Sequence, residues 1–361
     1  MNVLLLLPYA WDTVPGQRFR IEQWVPLLKE QGVTFEVDEL MTPQQQKMLH
    51  SGVSAVHKAR MILETTLRRR SRLAASIKAA DVIWLHRTMA VIGPPWMERR
   101  LARCGVPMIY EFDDAIWKTE TTKANRMFGW LKYADKTQDI CRLSDTVVVG
   151  NAYLAEFASQ FAKNVEIVPT TIDTGSYRPR SDYAQSGRVV VGWSGSITTS
   201  AYLKPIAGAL QRIAKSHDIV LKVVGDRNFR LDGVPVEAKD WSSASEQADL
   251  ATFDIGLMPL TDDEWSKGKC GLKALQYMGM GIPAILSPVG VNAEIIRNGE
   301  NGLWATTEEE WVETITRLIE SPELRERLGR AGRQTCETEY SATSQAPRVL
   351  EILRKVAKDR A

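Results

Sequence analysis

The stretch Lys267-Gly-Lys-Cys-Gly-Leu-Lys-Ala-Leu-Gln-Tyr-Met-Gly-Met-Gly-Ile-Pro-Ala-Ile-Leu-Ser287 decides how this chain folds. It reads as a basic, glycine-bearing loop, an amphipathic helix, then Gly281-Ile282-Pro283 and a buried strand. Backbone N–H groups in the first turn of a helix have no intrahelical partner, and the helix dipole adds positive potential there. With Lys267, Gly268 and Lys269 just ahead of it, that turn is a place to hold an anion. The helix can bury Leu272, Leu275 and Met278 on one side, which leaves Lys273 and Gln276 for other work.

Outward from this stretch, short apolar runs alternate with helical patterns, the signature of parallel α/β units. Strands are expected at Val3–Pro8, Phe35–Leu40, Val82–His86, Met108–Phe112, Thr146–Val149 and Val165–Val168. Helices fall between them near Arg18–Glu30, Ala55–Lys78, Pro95–Cys104, Ala124–Arg142 and Ala152–Gln160. Pro169 to Gly187 has no sustained period and reads as a connector. The alternation restarts with strands at Arg188–Ser194, Ile219–Gly225, Val234–Lys239, Ile255–Pro259, Ala284–Ser287 and Gly302–Ala305. The helices there are Leu203–Lys215, Leu272–Met280 and Glu308–Glu320, with a last one near Gln345–Lys358. Two doubly wound Rossmann-like halves are expected to face a central cleft, with ligands at the carboxyl ends of the strands.

The 361 residues suffice for two domains, and 44% hydrophobic with 25% charged residues is a globular composition. A net charge of +2 gives no reason to propose a nucleic-acid binder. The four cysteines, Cys104, Cys141, Cys270 and Cys336, form no CxxC pair and read as reduced thiols. Met1–Ala10 is too short to span a bilayer and lacks a basic leader, so a cytoplasmic protein is expected. No GxGxxG follows a strand, which counts against NAD. No Asp-x-Asp and no His/Cys cluster occurs, so no catalytic metal is expected.

The block from Lys267 to Ser287, continued by Pro288-Val-Gly-Val-Asn-Ala-Glu-Ile-Ile-Arg-Asn-Gly-Glu-Asn-Gly302, resembles the donor-site motif of GT-B glycosyltransferases of the retaining group 1, or family 4, type. In that pattern two glutamates stand with seven residues between them; the matching positions here are Gly268 and Gln276. The resemblance implies domains at 1–170, on the acceptor side, and 188–343, for the nucleotide sugar, a linker at 171–187, and a helix over 344–361 that packs back on the first domain. It implies transfer of a sugar from a UDP- or GDP-linked donor to an acceptor hydroxyl, with no resident cofactor, in cell-surface polysaccharide or glycolipid synthesis. The leaving diphosphate would lie on the Ser194-Gly195-Ser196 turn and on the loop of Lys267, Lys269, Cys270, Gly271 and Leu272, with Gln276 at the ribose. Two rival readings are a GT-B sugar-nucleotide epimerase and a non-catalytic nucleotide-sugar-binding relative, the latter suggested by the missing glutamates.

Other polar groups have two readings each. Asp226 and Arg227 follow a strand and suit a phosphate contact or a surface ion pair. Asp113 and Asp114 end the fourth strand, where the resembled family commonly has a histidine, and suit a base, an acceptor-orienting pair or a turn. His86 ends the third strand, either as a catalytic group or a structural hydrogen-bonder. Gly16, Arg18 and Arg20 resemble the family's N-terminal loop over the acceptor, against the alternative of a plain helix start. Between His57 and Lys78 lie Lys58, Arg60, Arg68, Arg69, Arg70, Arg72 and Lys78 with Met61, Ile62, Leu63, Leu67 and Leu73 among them. Such a basic amphipathic helix is either a solvated face or a peripheral membrane contact on the inner leaflet. The expected partners are a nucleotide sugar and a glycan or lipid-linked acceptor, with no nucleic acid.

Overall fold

Runs such as Val3-Leu-Leu-Leu-Leu7 and Val189-Val-Val191 are apolar without alternation, as strands covered on both faces must be. In a computed structural model of the chain, which describes residues 1–50, 52–118, 133, 135–184 and 187–358, these runs form two parallel six-stranded sheets. The first holds β1 (Asn2–Leu7), β2 (Thr34–Glu39), β3 (Val82–His86), β4 (Met108–Phe112), β5 (Thr146–Val149) and β6 (Val165–Ile167), in the order β2-β1-β3-β4-β5-β6. The second holds β7 (Val189–Ser194), β8 (Ile219–Val224), β9 (Val236–Lys239), β10 (Ile255–Met258), β11 (Ala284–Leu286) and β12 (Leu303–Trp304), in the order β12-β11-β10-β7-β8-β9. In both sheets the strand order reverses next to the first strand of its half, the kind of switch point where open parallel sheets place ligands.

The chain divides into two compact units, residues 1–170 with 345–361, and residues 171–344. In the first, Val349, Ile352 and Leu353 of the C-terminal helix line one small apolar cavity with Trp84, Ile109, Val148 and Val168. That helix runs over Ala342–Lys358. In the second, Val191, Trp193, Leu221, Leu257 and Ile285 from the sheet pack with Leu210, Ile213, Trp311, Ile315 and Leu318 from flanking helices.

The 171–187 segment, expected as a linker, is built into the second unit over its described residues. Tyr177 and Tyr183 are buried, Tyr183 Oη donates to the Gly281 carbonyl at 2.8 Å, and Arg180 Nη1 donates to the Phe253 carbonyl at 2.9 Å. The Arg18–Glu30 helix is resolved into a π-turn at Arg18–Glu22 and an α-helix at Trp24–Glu30. Of the helix expected over 124–142, Lys136–Leu143 is helical, while 124–132 and 134 lie outside the described residues. An 18-residue helix at Pro322–Glu339 was not foreseen.

Candidate functional site

In the second unit the polar groups gather at the carboxyl ends of β7, β8, β10 and β11. The Ser194-Gly195-Ser196 turn leaves β7 against the end of β8. Gly225 has φ +113°, and a Cβ there would lie 2.1 Å from the Gly195 carbonyl oxygen, so only glycine lets the two loops meet. Ser194 is buried, and its N–H donates to Tyr277 Oη at 3.0 Å. The Gly195 N–H donates to the Val224 carbonyl at 2.9 Å, and that of Ser196 to Thr199 Oγ1 at 2.9 Å. The N–H groups of this turn are thus committed inside the protein. The exposed Ser196 hydroxyl, clustered with those of Thr198 and Thr199, is what the turn offers a ligand.

The basic loop comes to the same place. Asp263 caps the short Glu264–Lys267 helix by accepting from the Ser266 N–H at 2.7 Å. Ser266 Oγ in turn donates to Tyr202 Oη at 3.3 Å, which ties the loop to the 3-10 helix Ser200–Ile206 that follows the turn. Lys269 Nζ sits 5.4 Å from the Tyr202 ring and 5.6 Å from the Trp265 ring. Lys273 Nζ sits 5.4 Å from the Trp193 ring, and a Cβ on Gly195 would touch that same indole at 2.2 Å. Gly271 takes the left-handed conformation, φ 70°, and starts the Leu272–Gly279 helix. Two ammonium groups and the open first turn of that helix therefore gather beside the hydroxyl-bearing turn. Lys267 is paired with Asp262 at 3.4 Å and Glu264 at 3.8 Å. Cys270 is buried beneath the loop.

The helix itself is buried nearly all round from Ala274 to Gly279, with Leu272 half-exposed, rather than amphipathic as expected. Gln276 is 4% exposed and belongs to a polar chain. Its Nε2 donates to Tyr177 Oη at 3.4 Å, Tyr177 Oη–H donates to Glu246 Oε2 at 2.6 Å, and Trp241 Nε1–H donates to Glu246 Oε1 at 2.8 Å. A carboxylate only accepts, so the phenol hydrogen is committed to Glu246 and the phenol oxygen faces the amide NH2 of Gln276. That orients the Gln276 carbonyl oxygen away from Tyr177.

Asp226 and Arg227 do not join the basic loop. Asp226 is buried and accepts from Ser200 Oγ at 2.6 Å and from the Asn228 N–H at 3.2 Å, which makes it the brace of the turn. Arg227 is largely exposed and pairs with Asp240 at 3.5 Å. The ion pair is the second of the two readings open from the sequence.

In the first unit the polar groups lie at the carboxyl ends of β1, β3 and β4. Arg87 follows β3 with φ 57°, a strained conformation for a side-chain-bearing residue, and turns its guanidinium onto the two aspartates after β4. Arg87 Nε and Nη2 both reach Asp113 Oδ1, at 2.8 and 2.5 Å, and Nη2 reaches Asp114 Oδ2 at 2.8 Å. Burial opposes the charge on Asp113, but Arg87, His86 and Arg20 overcome it and hold its carboxyl below the ordinary value. Burial likewise opposes the charge on Arg87, and the two carboxylates push its pKa above that of an ordinary arginine. Gly16 lies against this pair, since a Cβ there would come within 2.8 Å of Asp113 Oδ2. An ionised, ion-paired carboxylate is a weak base but a good hydrogen-bond acceptor for a hydroxyl.

His86 and Arg20 prove to be interior groups. His86 is 1% exposed with Nδ1 on the Glu111 carboxylate. Arg20 is 0% exposed, and it donates to Glu111 Oε1 at 2.7 Å and to the Val168 carbonyl at 2.6 Å. Arg20 is thus corrected from acceptor contact to a core ion pair, because its guanidinium faces the sheet. Arg18 remains half-buried, paired with Asp12 at 2.7 Å. Arg87, Trp193, Tyr202 and the Tyr177–Glu246 pair were missed by sequence reasoning, and Lys273 was set apart on its helix without a role. Those missed come from distant segments with no motif to mark them.

Comparison with known proteins bears on this arrangement. Residues 254–335 match the family model "Glycosyl transferases group 1". The spore coat protein SA of Bacillus subtilis is 25% identical over 267 residues, covering 64% of this chain and 71% of that protein. Sucrose-phosphate synthase from Thermosynechococcus elongatus superposes with TM-score 0.69 at 12% identity, over 99% of both chains. Anabaena Alr3699/HepE, solved in complex with UDP and glucose, superposes with TM-score 0.64 at 14% identity, over 98% of this chain and 99% of that one. The class these define is a glycosyltransferase of GT-B fold. The residues that match the group 1 glycosyl transferase model, 254–335, lie within its second unit.

Proposed function

We propose that this protein transfers a sugar from a UDP- or GDP-linked donor to a hydroxyl of a glycan or lipid-linked acceptor, with retention of configuration and without a resident metal or cofactor. The carrying observation is the gathering of Lys269, Lys273 and the first turn of the Leu272–Gly279 helix beside Ser196. That is a site for a diphosphate whose negative charge grows as the sugar departs. In the reaction the bond from the sugar C1 to the diphosphate breaks, the acceptor oxygen bonds to C1, and the acceptor proton leaves with the diphosphate. Gln276 is assigned to a ribose hydroxyl, and Asp113 with Gly16 and Arg18 to the acceptor side. The UDP bound to the Anabaena neighbour supports the donor class. A cytoplasmic enzyme in cell-surface polysaccharide or glycolipid synthesis, in contact with the inner membrane face, fits this reading.

The second reading, a binding protein without turnover, draws on Gly268 and Gln276, which leave both glutamate positions of the motif without a carboxylate. Calorimetry with UDP and GDP, with and without EDTA, tests the donor site: binding that persists in EDTA is expected, and strict dependence on a divalent ion overturns the metal-free reading.

A further inference from the structure

The helix Ala55–Ala79 has two apolar sides, and only one is used. Met61, Ile62, Thr65, Thr66, Arg69 and Leu73 are buried against the first unit. Arg69, expected as part of the solvated basic run, is at 0% exposure and donates to the carbonyls of Leu7 at 3.1 Å, Asp38 at 2.9 Å and Met89 at 3.2 Å. Burial lowers its pKa to about 10 against the opposing charges of Asp38 and Glu98. Arg69 therefore anchors the helix and is subtracted from the outward charge.

On the other side Val56 is 77%, Leu63 58% and Leu67 49% exposed, and Ala74 continues the row. Steps of seven, four and seven residues keep these positions on one stripe of a helix. The stripe runs for about 27 Å at 1.5 Å per residue. Arg60 and Arg70 border it, and Trp96, 37% exposed, stands beside it with its ring 5.8 Å from the Arg70 guanidinium. Arg100 lines the groove that runs between Trp96 and Arg70. Glu64 is the one acidic residue within Ala55–Ala79, and it is paired with Arg60 at 2.7 Å. Leucines exposed in a row call for cover, because apolar surface of this kind is unfavourable in water.

We infer that this face seats the first unit on an anionic bilayer surface, with Leu63, Leu67 and Trp96 entering the headgroup boundary and Arg60, Arg70 and Arg100 on lipid phosphates. Charge complementarity selects this occupant. A second copy of the same face would set arginines against arginines. Among the described residues no helix is long and apolar enough to cross a membrane, so the contact is peripheral. The inference stands on the first unit alone and is independent of the donor site.

The test is sedimentation of the full chain with phosphatidylcholine vesicles, with and without about one-third phosphatidylglycerol. The expected result is binding to the anionic vesicles only, weakened at high salt. Leu63→Glu/Leu67→Glu and, separately, Arg60→Glu/Arg70→Glu should each lower it at least about tenfold while melting temperature and UDP or GDP affinity stay at parental values. Leu63→Ser/Leu67→Ser replaces the first pair if its melting temperature falls. The inference is overturned if the parent ignores anionic vesicles, if the variants bind them as the parent does, or if light scattering shows a parental dimer that the leucine variants dissociate.

Discussion

The ammonium of Lys269 lies over the rings of Tyr202 and Trp265, and that of Lys267 is paired with Asp262 and Glu264. Lys269→Ala should weaken UDP or GDP binding by about 1–3 kcal/mol with an unchanged melting temperature. Lys267→Ala should change it much less, and calorimetry on the pair shows whether that order holds. At Gln276 the committed phenol of Tyr177 fixes the amide, so its carbonyl is set to accept from a hydroxyl. Gln276→Ala should narrow the affinity gap between a ribonucleoside diphosphate and its deoxyribose counterpart; an unchanged gap removes the ribose assignment. At Asp113 the folded-state pKa lies below the ordinary value, so the Arg87 pair adds stability that is full above about pH 4, the unfolded carboxylate value, and fades as pH falls through the lower folded value. Asp113→Asn should flatten the acid limb of the stability curve, and should cost about 1–3 kcal/mol at neutral pH, with Asp114 left as the partner of Arg87. Transfer measured on the folded fraction should drop strongly while nucleotide affinity is spared, and near-parental transfer would remove Asp113 from the acceptor site.

At the scale of elements, the close approach of the loops after β7 and β8 is the feature most sensitive to a single atom. Gly225→Ala forces a Cβ into the Gly195 carbonyl at a backbone angle that alanine resists. A loss of about 1–3 kcal/mol is expected from denaturant unfolding, together with weaker nucleotide binding; parental values for both would show that the turn has slack. The strands were legible because continuous apolar runs such as Val82–His86 and Thr146–Val149 are buried on both faces and need no partner pattern to be seen. Glu308–Glu320 was legible through Thr307 and Glu310, which form a capping box, and through Trp311, Ile315 and Leu318 at helical spacing. The Pro322–Glu339 helix was not, because its buried face is built from Arg325, Leu328, Gly329, Gly332, Thr335 and Cys336. Small and polar residues that pack by close approach leave almost no hydrophobic period to read. The candidate site was legible where it is local: the glycines and lysines of the loop from Lys267 to Gly271 mark the place proposed for an anion. The Tyr177–Glu246–Gln276 chain draws on three segments and could not be read from any of them.

At the scale of the whole molecule, each unit has its own sheet and core, and the last helix belongs to the first unit although it follows the second in sequence. Val349, Ile352 and Leu353 are buried, each worth roughly 1.5–3 kcal/mol of apolar burial. A chain ending at Ser344 should therefore have the unfolding transition of the first unit lowered or abolished, while UDP or GDP binding by the second persists; loss of both together would show that the two units fold as one. The basic loop and the hydroxyl-bearing turn are proposed to hold a nucleotide sugar for transfer. The most direct measurement is release of free nucleoside diphosphate from a panel of UDP- and GDP-sugars by the purified full chain in EDTA. Slow release from one sugar nucleotide of the panel is expected, abolished in Lys269→Ala/Lys273→Ala. Binding of sugar nucleotides with no release from any of them would contradict it and leave a nucleotide-sugar-binding protein in its place.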